Sequence, residues 1–143
     1  DALIAAEEIA GTGEMKKPKV IPQVVFSDPE LASAGLSKQE AMKAGYEVLI
    51  GTFPYQASGK AIAMDETSGF VQIVADERSH KVLGGQILGA NASDMISEIA
   101  LAVERDLTVE ELGETVHPHP TLSENIMEAA EKALGKAIHT SNR

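Results

Sequence analysis

Residues 70–90, Phe70-Val71-Gln72-Ile73-Val74-Ala75-Asp76-Glu77-Arg78-Ser79-His80-Lys81-Val82-Leu83-Gly84-Gly85-Gln86-Ile87-Leu88-Gly89-Ala90, decide the fold. Two apolar runs rich in β-branched residues flank a polar break at Asp76–His80, which predicts two strands joined by a hairpin loop. Working outward, Tyr46 to Phe53 reads as another strand, and Val20 to Ser27 as one more, with Pro22 placing it at an edge or near its start. Asp28-Pro29-Glu30 ends that run. Ser37-Lys38-Gln39-Glu40 is a capping box opening a short helix, Lys38 to Ala44, closed by Gly45. Residues 54–60 read as a loop, Ala61 to Met64 as a short strand and Asp65 to Gly69 as a turn. Strand, turn and strand at short spacing predict an antiparallel sheet rather than βαβ units.

From Ser93 the apolar period becomes helical. Over Ser93–Asp106, Met95, Ile96, Ile99, Ala102 and Val103 share one face, and Asp94, Ser97, Glu98, Glu104 and Arg105 the other. Leu101 falls among the polar set. Thr108 and Glu111 form the capping box of a further short helix. The last helix, Leu122 to about Leu134, places Leu122, Ile126, Met127, Ala130, Ala133 and Leu134 on one side and Glu124, Glu128, Glu131 and Lys132 on the other, with Gly135 as its stop. At the other end Ala2 to Ala10 reads as a helix ending at Gly11. It begins so abruptly that the chain reads as a piece of something longer. Thr12 to Lys19 reads as a linker. A sheet between an N-terminal and a C-terminal helical part is an α+β domain.

Composition narrows the chemistry. The 143 residues contain no cysteine, so the chain has neither disulfide nor thiolate nucleophile. A net charge of −10 argues against nucleic acid and anionic membrane and suits a basic partner. Three Phe, two Tyr and no Trp give little for bases to stack on. No apolar run reaches the roughly 18 residues of a membrane span, and no secretory leader is evident.

The string His117-Pro118-His119-Pro120-Thr121-Leu122-Ser123-Glu124 carries the chemistry. It sets two imidazoles ahead of a helix and a carboxylate in that helix's first turn, the makings of a proton-transfer pair. Three readings compete. Thr121 as N-cap with Glu124 at N3 would be an ordinary capping box. His119 with Glu124 would be an acid–base pair, with Pro118 and Pro120 stiffening the segment that aims the ring. His117, His119 and Glu124 together could hold a metal, although alternate residues of an extended segment point to opposite sides. The glycine-rich run from Leu83 to Ser93 precedes a helix, but it lacks the spacing of a phosphate-binding loop.

The His-x-His-Pro-Thr-Leu-Ser-Glu string resembles the flavin-dependent disulfide oxidoreductases, and among them the dihydrolipoamide dehydrogenases. Val24 to Glu30 is similar to that family's first interface-domain strand, followed by the small-residue step Ala32-Ser33-Ala34-Gly35. Ala57-Ser58-Gly59-Lys60-Ala61 resembles its Asn/Ser-Gly-Arg/Lys-Ala loop, and Gly84 to Ile96 its strand–helix junction. The resemblance implies an α+β fold of the reductase dimerisation-domain type. Residues 1–18 would be the tail of a flavin-domain helix and a linker, and residues 19–143 the interface domain. It implies that His119 is the catalytic base, Glu124 the residue that orients and charges it, and His117 an accessory histidine. The pair would serve the partner subunit's disulfide and FAD.

On that resemblance FAD and NAD belong to the full-length enzyme and no cofactor to this chain, which would be inactive alone. A cis peptide is expected between His119 and Pro120. The expected partners are a second copy of the chain and the peripheral subunit-binding domain of an acyltransferase, with Glu104 as a candidate contact. The expected compartment is bacterial cytoplasm or mitochondrial matrix. The alternative is a stand-alone homodimeric module that binds a basic protein and leaves His119 idle.

Overall fold

The computed structural model describes residues 2–12 and 17–142. Half of the expected linker, residues 13–16, lies outside the described residues. Among those described, the elements are α1 (Ala2–Ala10), β1 (Gln23–Val25), β2 (Leu31–Gly35), α2 (Lys38–Lys43), β3 (Val48–Pro54), a 3-10 turn (Tyr55–Ala57), α3 (Gly59–Ala63), β4 (Phe70–Asp76), β5 (Val82–Leu88), α4 (Ala92–Glu104), α5 (Val109–Glu114) and α6 (Glu124–Ala133). The fold is α+β. Its antiparallel sheet runs β1-β2-β5-β4-β3.

The register sorts the sheet into two faces. Gly51, Ile73, Gly85 and Ala34 stand opposite one another across four strands, as do Phe53, Val71, Ile87 and Ala32. These rows face the helices: α4 packs on β2 and β5, α6 on β3 and β4, and α5 against α6. Between them lies Thr52, Gln72, Gln86, Ser33 and Gln23, a polar row on the opposite face, in which Gln72 Nε2 donates to Thr52 Oγ1 at 3.1 Å. Period-two alternation thus chooses the buried side.

Two glycines let the helices come close. A Cβ on Gly51 would lie 1.8 Å from the Ala129 carbonyl oxygen of α6, and one on Gly85 would lie 3.0 Å from Ile99 Cδ1 of α4. Helix α6 therefore rests directly on the backbone of β3, and this contact sets where the head of α6 points. Tyr55, fully buried, donates its hydroxyl to the Ala90 carbonyl at 2.9 Å and pins the 3-10 turn to the entry of α4.

Several expectations change. Ala61–Met64 is not a strand: Ser58 accepts the Ala61 N–H at 3.4 Å and starts α3 there. Ala32–Gly35, read as a small-residue step, belongs to a full strand, Leu31–Gly35, between β1 and β5. The strand expected over Val20–Ser27 contracts to Gln23–Val25. Glu128 does not face solvent; it is 4% exposed and bonded to His139. Both capping boxes, Ser37/Glu40 and Thr108/Glu111, form completely. Helix α1 ends at Gly11 with φ +66° and buries none of its residues. None of the described helices is long and apolar enough to cross a membrane.

Candidate acid–base site

The segment between α5 and α6 carries the site. It leaves α5 at Thr115, whose hydroxyl donates to the Glu111 carbonyl at 2.8 Å, and passes a cis peptide at His119–Pro120 before entering α6. The alternation of an extended chain sends the two imidazoles apart. His117 turns inward, its side chain 4% exposed, with Nδ1 2.7 Å from the Thr115 carbonyl oxygen and Nε2 2.9 Å from Glu98 Oε1 on α4. Neither of its nitrogens is free. His119 turns outward and its side chain is 79% exposed.

Glu124 opens α6. Its Oε1 lies 2.9 Å from His119 Nδ1, and its Oε2 accepts the Thr121 backbone N–H at 2.7 Å. The capping and acid–base arrangements therefore coexist on the two oxygens of one carboxylate. The capping is half a box. Thr121 Oγ1 does not accept from α6; it donates to the Pro118 carbonyl at 2.7 Å and shares a hydrogen bond with Ser123 Oγ at 3.0 Å. Glu124 sits at the first helical position, after Ser123, rather than three residues past a Thr121 cap.

Partial burial works to raise the Glu124 pKa, but the Thr121 N–H, the His119 hydrogen bond and the nearby charges of His119 and His117 outweigh it, and the carboxyl ends below its ordinary value. An ionised Glu124 only accepts, so Nδ1 of His119 carries the shared proton and Nε2 is the nitrogen with a free lone pair. Among the described residues Nε2 has no hydrogen-bond partner. The arrangement can take a proton from an incoming acid and hold the resulting imidazolium against a carboxylate.

Among the described residues no group of three His, Cys, Asp or Glu side chains is placed to hold a metal, which agrees with the two histidines parting. The glycine-rich run offers no cofactor cradle. A Cβ on Gly84 would meet the Leu36 backbone nitrogen at 2.4 Å, and one on Gly85 the Gln72 carbonyl oxygen at 2.7 Å, so strand packing fills that space. Glu104 is already engaged, accepting the Lys19 backbone N–H at 2.8 Å.

Residues 21–130 match the family model described as pyridine nucleotide-disulphide oxidoreductase, dimerisation domain. The chain belongs to this family. It is 46% identical over 143 residues to the dihydrolipoyl dehydrogenase of Haloferax volcanii, a match covering all of this chain and 30% of that protein. It is 48% identical over 136 residues to the dihydrolipoyl dehydrogenase of Geobacillus stearothermophilus, covering 95% of this chain and 29% of the relative. Its fold superposes on the crystal structure of LpdA from Mycobacterium tuberculosis with a TM-score of 0.81 and 29% identity, over 90% of this chain and 28% of that one. The chain thus spans about 30% of the length of the relatives it matches.

Sequence reasoning missed three residues around the dyad. Glu98, which holds His117, reads as one more charge on a polar helix face. Asn125 and Glu128 are both buried in α6, and nothing local distinguishes Glu128 from the exposed glutamates beside it.

Proposed function

We propose that this chain is the dimerisation domain of a dihydrolipoyl dehydrogenase, and that it lends His119 and Glu124 to the active site completed by a second subunit. The observation that carries the reading is the contact of 2.9 Å between His119 Nδ1 and Glu124 Oε1 on an imidazole whose other nitrogen is unengaged. Thiol–disulfide exchange runs through the thiolate. In this reading Nε2 of His119 takes the proton of a dihydrolipoamide thiol, so that the sulfur can attack a disulfide carried by the enzyme. Glu124 keeps the ring in the tautomer that can accept and balances the charge it acquires, a division of labour familiar from catalytic triads. The disulfide, flavin and nicotinamide belong to parts of the enzyme other than these residues. The chain's share is proton handling, and by itself it turns over nothing. His117, locked between Thr115 and Glu98, is a positioning residue for the segment.

Residues 1–18 in this reading are the end of the flavin domain and a linker, and residues 19–143 the interface domain, in keeping with an α1 that buries nothing against the sheet. A homodimer is supported by the family's description and by an apolar groove of about 650 Å³ next to the dyad, lined by Met64, Met95, Pro120 and Leu122. The net charge of −10 suits a basic partner such as an acyltransferase subunit-binding domain, with Glu104 as a candidate contact, and makes nucleic acid and anionic membrane poor partners. The compartment in this reading is bacterial cytoplasm or mitochondrial matrix.

The test is His119→Gln in the full-length enzyme carrying this chain. Oxidation of dihydrolipoamide is expected to fall by roughly 10²–10⁴, the usual worth of a general base. Reduction of a dye by NADH, which needs no thiol proton transfer, is expected to persist. Equal loss of both activities, or loss of neither, overturns the role of His119.

A further inference from the structure

The tail after α6 brings a second imidazole to the helix that carries Glu124. Gly135, at φ +70°, turns the chain at the end of α6, and the Lys136 N–H closes that end on the Glu131 carbonyl at 2.8 Å. Asn142 braces the tail, its side-chain amide donating to the Ala137 carbonyl at 3.0 Å and accepting the Ala137 N–H at 3.0 Å. His139 thereby reaches Glu128, 11 residues earlier, and its Nδ1 lies 2.5 Å from Glu128 Oε1. The side chain of Glu128 is 6% exposed and that of His139 64%. Among the described residues Glu128 makes no other ion pair, although Lys132 follows it by one turn.

Helix α6 thus carries two carboxylates one turn apart, about 5.4 Å along its axis. Each is held by an imidazole from outside the helix, Glu124 by His119 from the segment before it and Glu128 by His139 from the tail after it. Like charges at this spacing repel. The two pairs border one cavity of about 250 Å³, and no other ionisable side chain stands in its wall. The strand residues that face the helices, Gly51, Phe53, Val71 and Ile73, are uncharged. On α5, Glu110 is engaged by His80 and Glu111 by the Thr108 cap. Across an apolar wall little ionic screening acts, so the charge of Glu128 is balanced chiefly by its own partner. We propose that His139 is a positioning residue for the dyad: it balances the charge of Glu128, so that Glu124 alone decides how firmly His119 holds a proton. His139 touches no reacting atom and acts through Glu128. The inference rests on the reading of His119 as the thiol's base.

The experiment records the pH dependence of kcat/KM for dihydrolipoamide in the full-length enzyme carrying this chain. His139→Gln keeps a donor for Glu128 and removes the balancing charge. The bare carboxylate then adds to Glu124 in holding a proton on the base. The acid limb of the profile is expected to move to higher pH by about 0.5–1, the effect of one added charge a helical turn away in partly screened surroundings. Combining His139→Gln with Glu128→Gln is expected to return the limb to its wild-type position, a reversal that a merely structural role would not give. Dye reduction by NADH is expected to stay at the wild-type level in both. An unmoved limb in His139→Gln overturns the proposal, and so does a limb that stays displaced in the double variant. Parallel loss of both activities in His139→Gln also overturns it, since the tail would then only hold the fold. If His119→Gln retains the wild-type acid limb, the reading of His119 falls and this role with it. If the limb is lost with His119 yet unmoved by His139→Gln, only the role of His139 falls.

Discussion

His117 and His119 stand two residues apart and answer to different helices. His117 reaches back to Glu98 on α4 at 2.9 Å and is enclosed, whereas His119 meets Glu124 on α6 at 2.9 Å and is open. The prolines between and after them keep the segment extended, so the rings cannot share a partner.

This division gives opposite expectations for the two residues in stability. His117→Ala removes a side chain that is 4% exposed and leaves Glu98 without its partner, so unfolding free energy should fall by about 1–3 kcal/mol. His119→Ala touches a side chain that is 79% exposed and should stay within about 0.5 kcal/mol of wild type. Denaturant titration of the two variants checks this; a larger loss at His119 would contradict it.

Glu124 makes the fold sensitive to acid. Its folded pKa lies below its ordinary value of 4.5, so its contribution is complete above that value and disappears as pH falls through the lower, folded value. Asp76, Glu40, Glu110 and Asp106 are lowered in the same direction and add to the acid limb. Glu124→Gln should therefore flatten the decline in denaturation midpoint below about pH 4.5 without abolishing it. An unchanged acid profile would show that the Thr121 and His119 contacts do not hold the carboxylate in solution.

Gly51 couples the sheet to the dyad. A Cβ there would come 1.8 Å from the Ala129 carbonyl oxygen and 2.6 Å from the Ala133 nitrogen, so α6 must lift off β3. Gly51→Ala is expected to cost about 3 kcal/mol or more, at the upper end of overpacking substitutions. In the full-length enzyme it should slow dihydrolipoamide oxidation more than dye reduction, because the head of α6 carries Glu124. A variant as stable as wild type would mean that α6 sits farther from the sheet.

Assembly is the fourth expectation. The groove lined by Met64, Met95, Pro120 and Leu122, together with the exposed side chains of Met64, Leu101 and Val116, leaves apolar surface for a second copy to cover. Sedimentation of this chain at micromolar concentration should show a dimer; a monomer would count against it.

What was legible in the sequence was what is local. The Ser37/Glu40 and Thr108/Glu111 caps close within one helical turn, and the Asp76–His80 hairpin declares itself by contrast with its flanks. His119 and Glu124 lie five residues apart, so their proximity could be expected. Leu31–Gly35 could not be read as a strand, because small residues have little intrinsic preference for one; its pairing with both β1 and β5 makes it extended. Ala61–Met64 misled for the converse reason, since the cap from Ser58 decides its geometry. The burial of Glu128 depends on His139, eleven residues away, and the setting of His117 on Glu98, nineteen away, and neither distance leaves a periodic trace.

The shared carboxylate of Glu124 has a kinetic meaning. A glutamate bonded only to an imidazole can rotate away whenever the proton moves, and must be gathered again at each turnover. Here the Thr121 N–H grips the second oxygen at 2.7 Å, so the rotamer that faces His119 is selected when the helix forms. Reorientation of the acceptor is thereby completed during folding, and it adds nothing to the barrier of any proton transfer that His119 performs.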